Sequence, residues 1–438
     1  MTTAHGLGGA SDLPIPATYA IAGGCAALTV SFVILLIAWR RPRFDDPGSG
    51  RPVPSALAHL IDSPGFSAAL RVAGMLFAGF VVWAAIAGQD LLTNPVFGIA
   101  YVWLWVGIVP ASLLFGPWFR AVSPARTLHL LVTSPTGDDP APGIAPLPPW
   151  VGYWPAAVGL FAFVWFELVY PSATYLGPLR LWFAVYVGAM VVGGALFGTR
   201  WFERADPFEV YSTLVGHLSI WGRRPDGTLV FRNPLANLDR IPAAPGLVAV
   251  IAVLLGSTAF DSFRESNLWL RYTQATEANV PLINTGLLLG TCALVGLTFT
   301  AATMATGAET DAPRSVVPRL FAHSVVPIIV GYMVAHYLTF FVETGQQTLI
   351  RASDPLGNGS DLFGTGDWAV NYWLSSHPAT LATIKVVAIV TGHVLGAIAA
   401  HDRAIRLLPP RQHATGQLPL LSVMVLYTFT GLYLLFGI

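Results

Sequence analysis

Of 438 residues, 23 are basic and 23 acidic, or 11% charged, against about 25% in an ordinary soluble domain, and 54% are hydrophobic, with a mean hydropathy of +0.62. Disorder is excluded by this hydrophobicity. A disulfide scaffold is excluded by two distant cysteines, Cys25 and Cys292, and zero net charge gives no field to attract nucleic acid. The partner that remains is the lipid bilayer.

A hydrocarbon core about 30 Å thick needs about 20 mostly apolar helical residues. Ten segments meet this: 17–39, 67–88, 97–116, 150–170, 180–198, 242–260, 280–303, 319–343, 380–402 and 418–437. The expected fold is therefore an all-α polytopic helical bundle, one membrane domain of about ten spans. Segment 17–39 is long and its basic flank follows it, so it is expected to be a retained span and not a cleaved leader. Arg40, Arg41 and Arg43 place the end of that span on the cytoplasmic side. Alternation from there puts 18 of the 23 basic residues inside or at inner span starts, leaving Arg180, Arg264, Arg271, Arg351 and Lys385. Both termini are then expected outside, in a bacterial plasma membrane.

Three connections are long. Segment 117–149 holds a Pro/Gly/Asp run from Ser134 to Gly143, followed by Pro146, Pro148 and Pro149, and that run should be an irregular loop. In 199–241, Asp206-Pro207-Phe208-Glu209 is a helix start, with Asp as N-cap and Pro in the first turn. Phe208, Tyr211, Val215, Leu218 and Trp221 then recur at helical spacing, which predicts an amphipathic helix lying in the membrane interface. Pro225-Asp226-Gly227 before Thr228–Phe231 predicts a small hairpin. The segment is either a structural cytoplasmic cap or a docking surface for a membrane-protein partner. Segment 344–379 is extracytoplasmic. Its aspartates Asp354, Asp361 and Asp367 lie among glycines, which suits Asx-turns or a hard cation. Trp368, Tyr372 and Trp373 follow as belt aromatics.

Ionisable residues in lipid need partners and are functional candidates. The eighth span carries His323, Tyr332, His336 and Glu343. The ninth carries Lys385, His393 and His401, followed by Asp402; the fourth carries Glu167. At 1.5 Å per residue, His323 and His401 share an inner level, whereas His336, Lys385 and Glu167 lie about 25 Å in. His336 and Glu343 share a helical face. His323 points about 140° away from His336, so four histidines on straight helices cannot meet one ion unless Pro327 kinks the span. Gly392, Gly396 and Ala400 form a stripe for close packing against the eighth or tenth span. Arg180, Asp261 and Glu265 sit at outer span ends and look interfacial.

Three uses of these groups stay open. His323, His393 and His401, with Asp402, form one set for a divalent metal. His323 and His336 could instead hold haems, with His401 level with His323 but only Lys385 level with His336. Otherwise the groups are a polar network with a Glu167–Lys385 ion pair.

Four stretches together carry a resemblance: His323-Ser-Val-Val-Pro327 through His336-Tyr337, the loop Asp354-Pro-Leu-Gly-Asn358 to Thr365, His393 through His401-Asp402-Arg403, and Gln417 through Met424. They resemble actinobacterial multipass membrane proteins identified as fenitrothion hydrolases, over roughly the last 120 residues, with the rest matching by span pattern. The resemblance implies hydrolysis of an organophosphate triester. The resulting expectation is a membrane-embedded hydrolase of apolar esters. Its candidate metal ligands are His323, His336, His393 and His401, and its candidate catalytic groups are Glu167 and Lys385. The alternatives are an ion- or proton-coupled transporter and a haem-binding subunit.

Overall fold

A computed structural model describes residues 13–133, 142–308 and 313–436. The described residues are 71% helical with almost no strand, an all-α architecture. Ten apolar helical stretches follow in order: α1 (Ala17–Ala38), α2 (Pro64–Ala87), α3 (Pro95–Leu104 with Ile108–Phe115), α4 (Trp154–Leu168), α5 (Leu176–Phe197), α6 (Leu247–Arg264), α7 (Val280–Met304), α8 (Arg314–Ala352), α9 (Pro378–Leu407) and α10 (Thr415–Phe436). Among the described residues, eight are single helices long and apolar enough to cross a bilayer, and α3 is a ninth if its two halves, bent by 48°, count as one span. Such a chain is a multipass membrane protein. The predicted span 150–170 is the exception: α4 has 15 residues, about 22 Å of rise against a core of about 30 Å. Large apolar side chains such as Leu76, Leu181 and Leu297 are each more than 60% exposed, a surface suited to lipid and not to water.

The sequence leads one to expect a single domain; the contacts divide the chain into two compact units. Unit 1 comprises Met1–Pro47, Pro234–Phe340 and Tyr372–Ile438, and unit 2 comprises Gly48–Asn233 and Phe341–Asn371.

Within unit 1, α8 and α9 approach most closely. A methyl group placed on Gly331 would lie 2.6 Å from Ala388 O, one on Gly392 2.6 Å from Pro327 O, and one on Gly396 2.6 Å from Ser324 O. The small-residue stripe of α9 therefore packs on α8, as the sequence predicts. Along α8 the helix tightens to a 3-10 turn at Ala322–Val325, ahead of Pro327, whose ring can donate no backbone hydrogen bond. α6 packs on α7 through Gly256 against the Cys292 backbone.

Unit 2 is centred on the helix Pro207–Gly216. Asp206 caps it as predicted, its Oδ1 accepting from Phe208 N (3.0 Å) and Glu209 N (3.2 Å). The predicted interfacial position is corrected, because the helix is buried along its whole length, Glu209 and Ser212 included. Its polar side is not presented to water. Arg126 takes Glu209 with two bonds of 2.6 and 2.7 Å, Ser112 pairs with Ser212 at 2.9 Å, and Tyr186 donates to Asp206 Oδ2 at 3.0 Å. Trp105, Phe163 and Phe208 fill the other side. The predicted hairpin is present as β2 (Trp221–Arg223) and β3 (Leu229–Phe231). A third strand, β1 (Arg51–Pro52), adds to its other edge in the order β1-β3-β2. The turn uses Gly227 at φ 86° and an Asp226 carboxylate that accepts Thr228 N–H.

The predicted irregular loop at 134–143 falls mostly outside the described residues. The 344–379 segment begins with the helix Gly345–Ala352. Asp354 then accepts N–H bonds from Asn358 and Gly359, Asp361 accepts one from Gly366, and Asn358 Oδ1 accepts Ser360 N–H two residues on, an Asx-turn. Trp368, Tyr372 and Trp373 are exposed.

Two predictions follow from this packing. Gly392→Val should cost about 1–3 kcal/mol, measured as a lowered unfolding midpoint in detergent. Burial, then the charge of Glu209, pushes the Asp206 carboxyl up to about 7 from 3.8. The folded state thus holds a proton that the unfolded chain releases, so the stabilisation is complete below about pH 3.8 and is lost as pH rises through about 7. The unfolding midpoint should fall between pH 5 and pH 8, and Asp206→Asn, which keeps the cap, should flatten that dependence.

Candidate functional site

Asp261 and Glu265 are four residues apart at the C-terminal end of α6 and so share a face. α6 packs against the part of α8 that carries His336 and Tyr337, and Thr258 Oγ1 reaches Met333 Sδ at 3.8 Å. Asp261 is fully buried there and so is His336. His336 Nε2 lies 2.9 Å from Asp261 Oδ2, and Tyr337 donates its phenol to the same oxygen at 2.8 Å. Arg264 binds Asp261 Oδ1 at 2.9 Å. Ser262 Oγ lies 3.2 Å from His336 Nδ1. Glu265 completes the cluster: one ligand atom each from Asp261, Glu265 and His336 lies within 4.8 Å of the others. Arg264 and Glu265 are only partly buried, so the cluster has a dry interior and an open edge.

Two carboxylates and an imidazole form a donor set of the kind that divalent ions accept. Two ligand atoms each about 2.1 Å from one ion are about 3.0 Å apart at right angles and about 3.4 Å apart in a tetrahedral site, so the 2.9 Å contact has hydrogen-bond length and would widen slightly around a shared cation. His336, Asp261 and Glu265 are therefore residues that could hold a divalent ion.

The histidines expected to bind metal lie in different surroundings. The contacts that align Gly331 with Ala388 and Pro327 with Gly392 put His336 and Lys385 at nearly one level, as their depths predict. His336 nevertheless pairs with α6. His323 sits in the 3-10 turn, with Nδ1 3.0 Å from Leu320 O and Nε2 3.9 Å from Asp239 Oδ1. Asp239 is also held by Arg403, at 2.8 Å, and by Arg406. Burial opposes its charge, but the two guanidiniums keep its carboxyl below the usual range. His393 donates its Nδ1–H to Ile389 O (2.9 Å), packs edge-on against Tyr332, and has no hydrogen-bond partner at Nε2. His401 has both ring nitrogens at oxygens, Gln417 Oε1 at 2.8 Å and Trp39 O at 2.9 Å. Asp402 accepts from Trp39 Nε1 and Arg43 N. An apolar crevice lined by Phe32, Phe321, Ala400, Leu420 and Met424 ends at His401, whose nitrogens are already engaged. Haem iron needs a free ring nitrogen. His336 and His401 have both nitrogens hydrogen-bonded; His323 and His393 each have Nε2 without a hydrogen-bond partner. Lys385 is buried in unit 1, and Glu167, with buried oxygens, belongs to unit 2.

Sequence reasoning missed Asp261, Ser262, Arg264, Glu265 and Tyr337 as site residues. It treated Asp261 and Glu265 as interfacial, whereas Asp261 is fully buried. The available signal was depth: counted from Pro242, Asp261 lies about 28 Å along its span, close to the level of His336.

Compared with family models, curated proteins and solved structures, the chain matches none.

Proposed function

We propose that this protein is a metal-dependent hydrolase of apolar esters, organophosphate triesters among them, embedded in a bacterial plasma membrane with ten spans and both termini outside. Its metal ligands are His336, Asp261 and Glu265. The observation that carries this reading is the buried contact between His336 Nε2 and Asp261 Oδ2, with Glu265 beside it at a half-buried edge. The reading also rests on the resemblance of the last 120 residues to fenitrothion hydrolases, and on the arginine distribution for orientation. A bound divalent ion supplies Lewis acidity and activates water. The protein's own groups do the rest. Tyr337 and Arg264 hold the Asp261 carboxylate in place, and Ser262 orients the imidazole. The surrounding apolar helices limit water, and apolar esters that partition into lipid can reach the open edge at Glu265 without crossing bulk solvent.

A second reading is proton-coupled transport. It is favoured by the number of groups already on Asp261: with Arg264, Tyr337 and His336 in place, its two oxygens form a network that can pass a proton without an ion.

Elemental and optical analysis of the purified protein separates these readings. The expected result is about one divalent metal per chain and no Soret band. Asp261→Asn and His336→Gln should each lose the metal and lower hydrolysis of a p-nitrophenyl phosphotriester at least about 100-fold, comparable to losing a principal catalytic group. Absence of metal together with unchanged hydrolysis in both variants would overturn the hydrolase reading. Proton flux in proteoliposomes that is lost in Asp261→Asn would establish the second.

A further inference from the structure

Ser262 Oγ lies 3.0 Å from Thr258 O and 3.2 Å from His336 Nδ1. A serine hydroxyl has one hydrogen, so only one of these oxygen–acceptor contacts can be a donation by Ser262. If the hydrogen goes to Nδ1, the ring proton of neutral His336 sits on Nε2 and is donated to Asp261. If it goes to Thr258 O, one turn back, Ser262 Oγ becomes an acceptor and Nδ1 must carry the ring proton.

Two features favour the second arrangement. Back-donation to the carbonyl four residues earlier is the ordinary state of a serine or threonine inside a helix, and Thr258 itself makes this bond to Leu254 O at 3.0 Å. Asp261 Oδ2 already accepts the Tyr337 phenol and Oδ1 accepts Arg264, so neither oxygen relies on the histidine for a donor. With Nδ1 protonated, the Nε2 lone pair faces Asp261 Oδ2 at 2.9 Å. Two electron pairs at that separation call for a positive charge between them, supplied by a second ring proton or by a metal ion.

We infer that Ser262 is a positioning residue that fixes His336 as its Nδ1–H tautomer and so presents Nε2 to a divalent cation shared with Asp261. This rests on the metal reading above for its purpose, though not for its geometry. Ligating imidazoles commonly hold their second nitrogen in such a bond, and loss of the partner typically weakens metal binding about 10- to 100-fold.

The test uses the full chain in detergent with Zn²⁺ as the probe, its affinity measured by competition with a chromophoric chelator. Alongside this, ¹⁵N histidine spectra of the metal-free protein read the His336 tautomer, assigned by the signal lost in His336→Gln. Ser262→Ala should weaken Zn²⁺ binding about 10- to 100-fold, and Ser262→Thr, which keeps the hydroxyl, should restore it. The wild-type spectrum should show Nδ1 protonated. An Nε2–H ring in the wild type, or tight Zn²⁺ binding unchanged by Ser262→Ala, would overturn the inference while leaving the metal site standing. A wild type that binds no Zn²⁺ yet shows the Nδ1–H ring, lost in Ser262→Ala, would overturn the metal reading and leave the tautomer lock.

Discussion

A carboxylate buried among membrane helices has no water to fall back on, and leaving it unpaired costs several kcal/mol or more. Asp261 meets that requirement with a donor for each oxygen, Arg264 from its own helix and Tyr337 from α8, and His336 of α8 lies against the same oxygen as Tyr337. The requirement therefore acts across helices. It fixes the level at which α6 and α8 meet, since sliding either helix by one turn would remove Asp261 from both of its α8 partners. Ser262, next in sequence, can then reach only the second nitrogen of the same ring. The site's geometry follows largely from the need to neutralise one acidic side chain.

A different constraint explains why the histidines of α8 and α9 do not converge. Gly331, Gly392 and Gly396 let the two backbones approach until a single methyl group would press on a carbonyl oxygen. A seam that tight has no room for an imidazole pair with an ion between them. The stripe that the sequence suggests would bring the α9 histidines against a neighbour does create the contact, but it pushes the rings off the seam. His393 turns to Tyr332, His323 to Asp239, and His401 to Trp39 and Gln417. Close packing and ligand convergence compete for the same face here, and packing prevails.

Much of the fold was legible because lipid imposes long apolar runs. Nine of the ten expected segments appear as membrane-length helices or a bent pair, and the Asp206 cap and the 221–231 hairpin follow from local turn chemistry. The tenth, α4, is apolar enough but ends at 15 residues, because hydropathy does not report where a helix stops. The cap helix was misjudged for a related reason. Its apolar stripe is visible in sequence, but Arg126, Tyr186 and Ser112, which bury its polar side, come from 20 to 100 residues away. The candidate site was half legible. His336 stood out as a buried imidazole, whereas its partner Asp261 was masked by its position at a span end, where an acid usually meets water.

Asp206 and Asp261 show that a buried carboxylate is not in itself a site. Both sit at helix ends, both are fully buried, and each accepts a tyrosine phenol. Asp206 spends its other oxygen on two backbone N–H groups, so it serves to begin a helix. Asp261 spends its other oxygen on the side chain of Arg264 and keeps an imidazole nitrogen on the first. Backbone donors cannot exchange places with a substrate or a metal, whereas a guanidinium and an imidazole can. The half-buried edge at Arg264 and Glu265 then gives such an exchange a route. The proposed chemistry accordingly sits at the carboxylate whose partners are side chains, and structure at the one whose partners are fixed in the backbone.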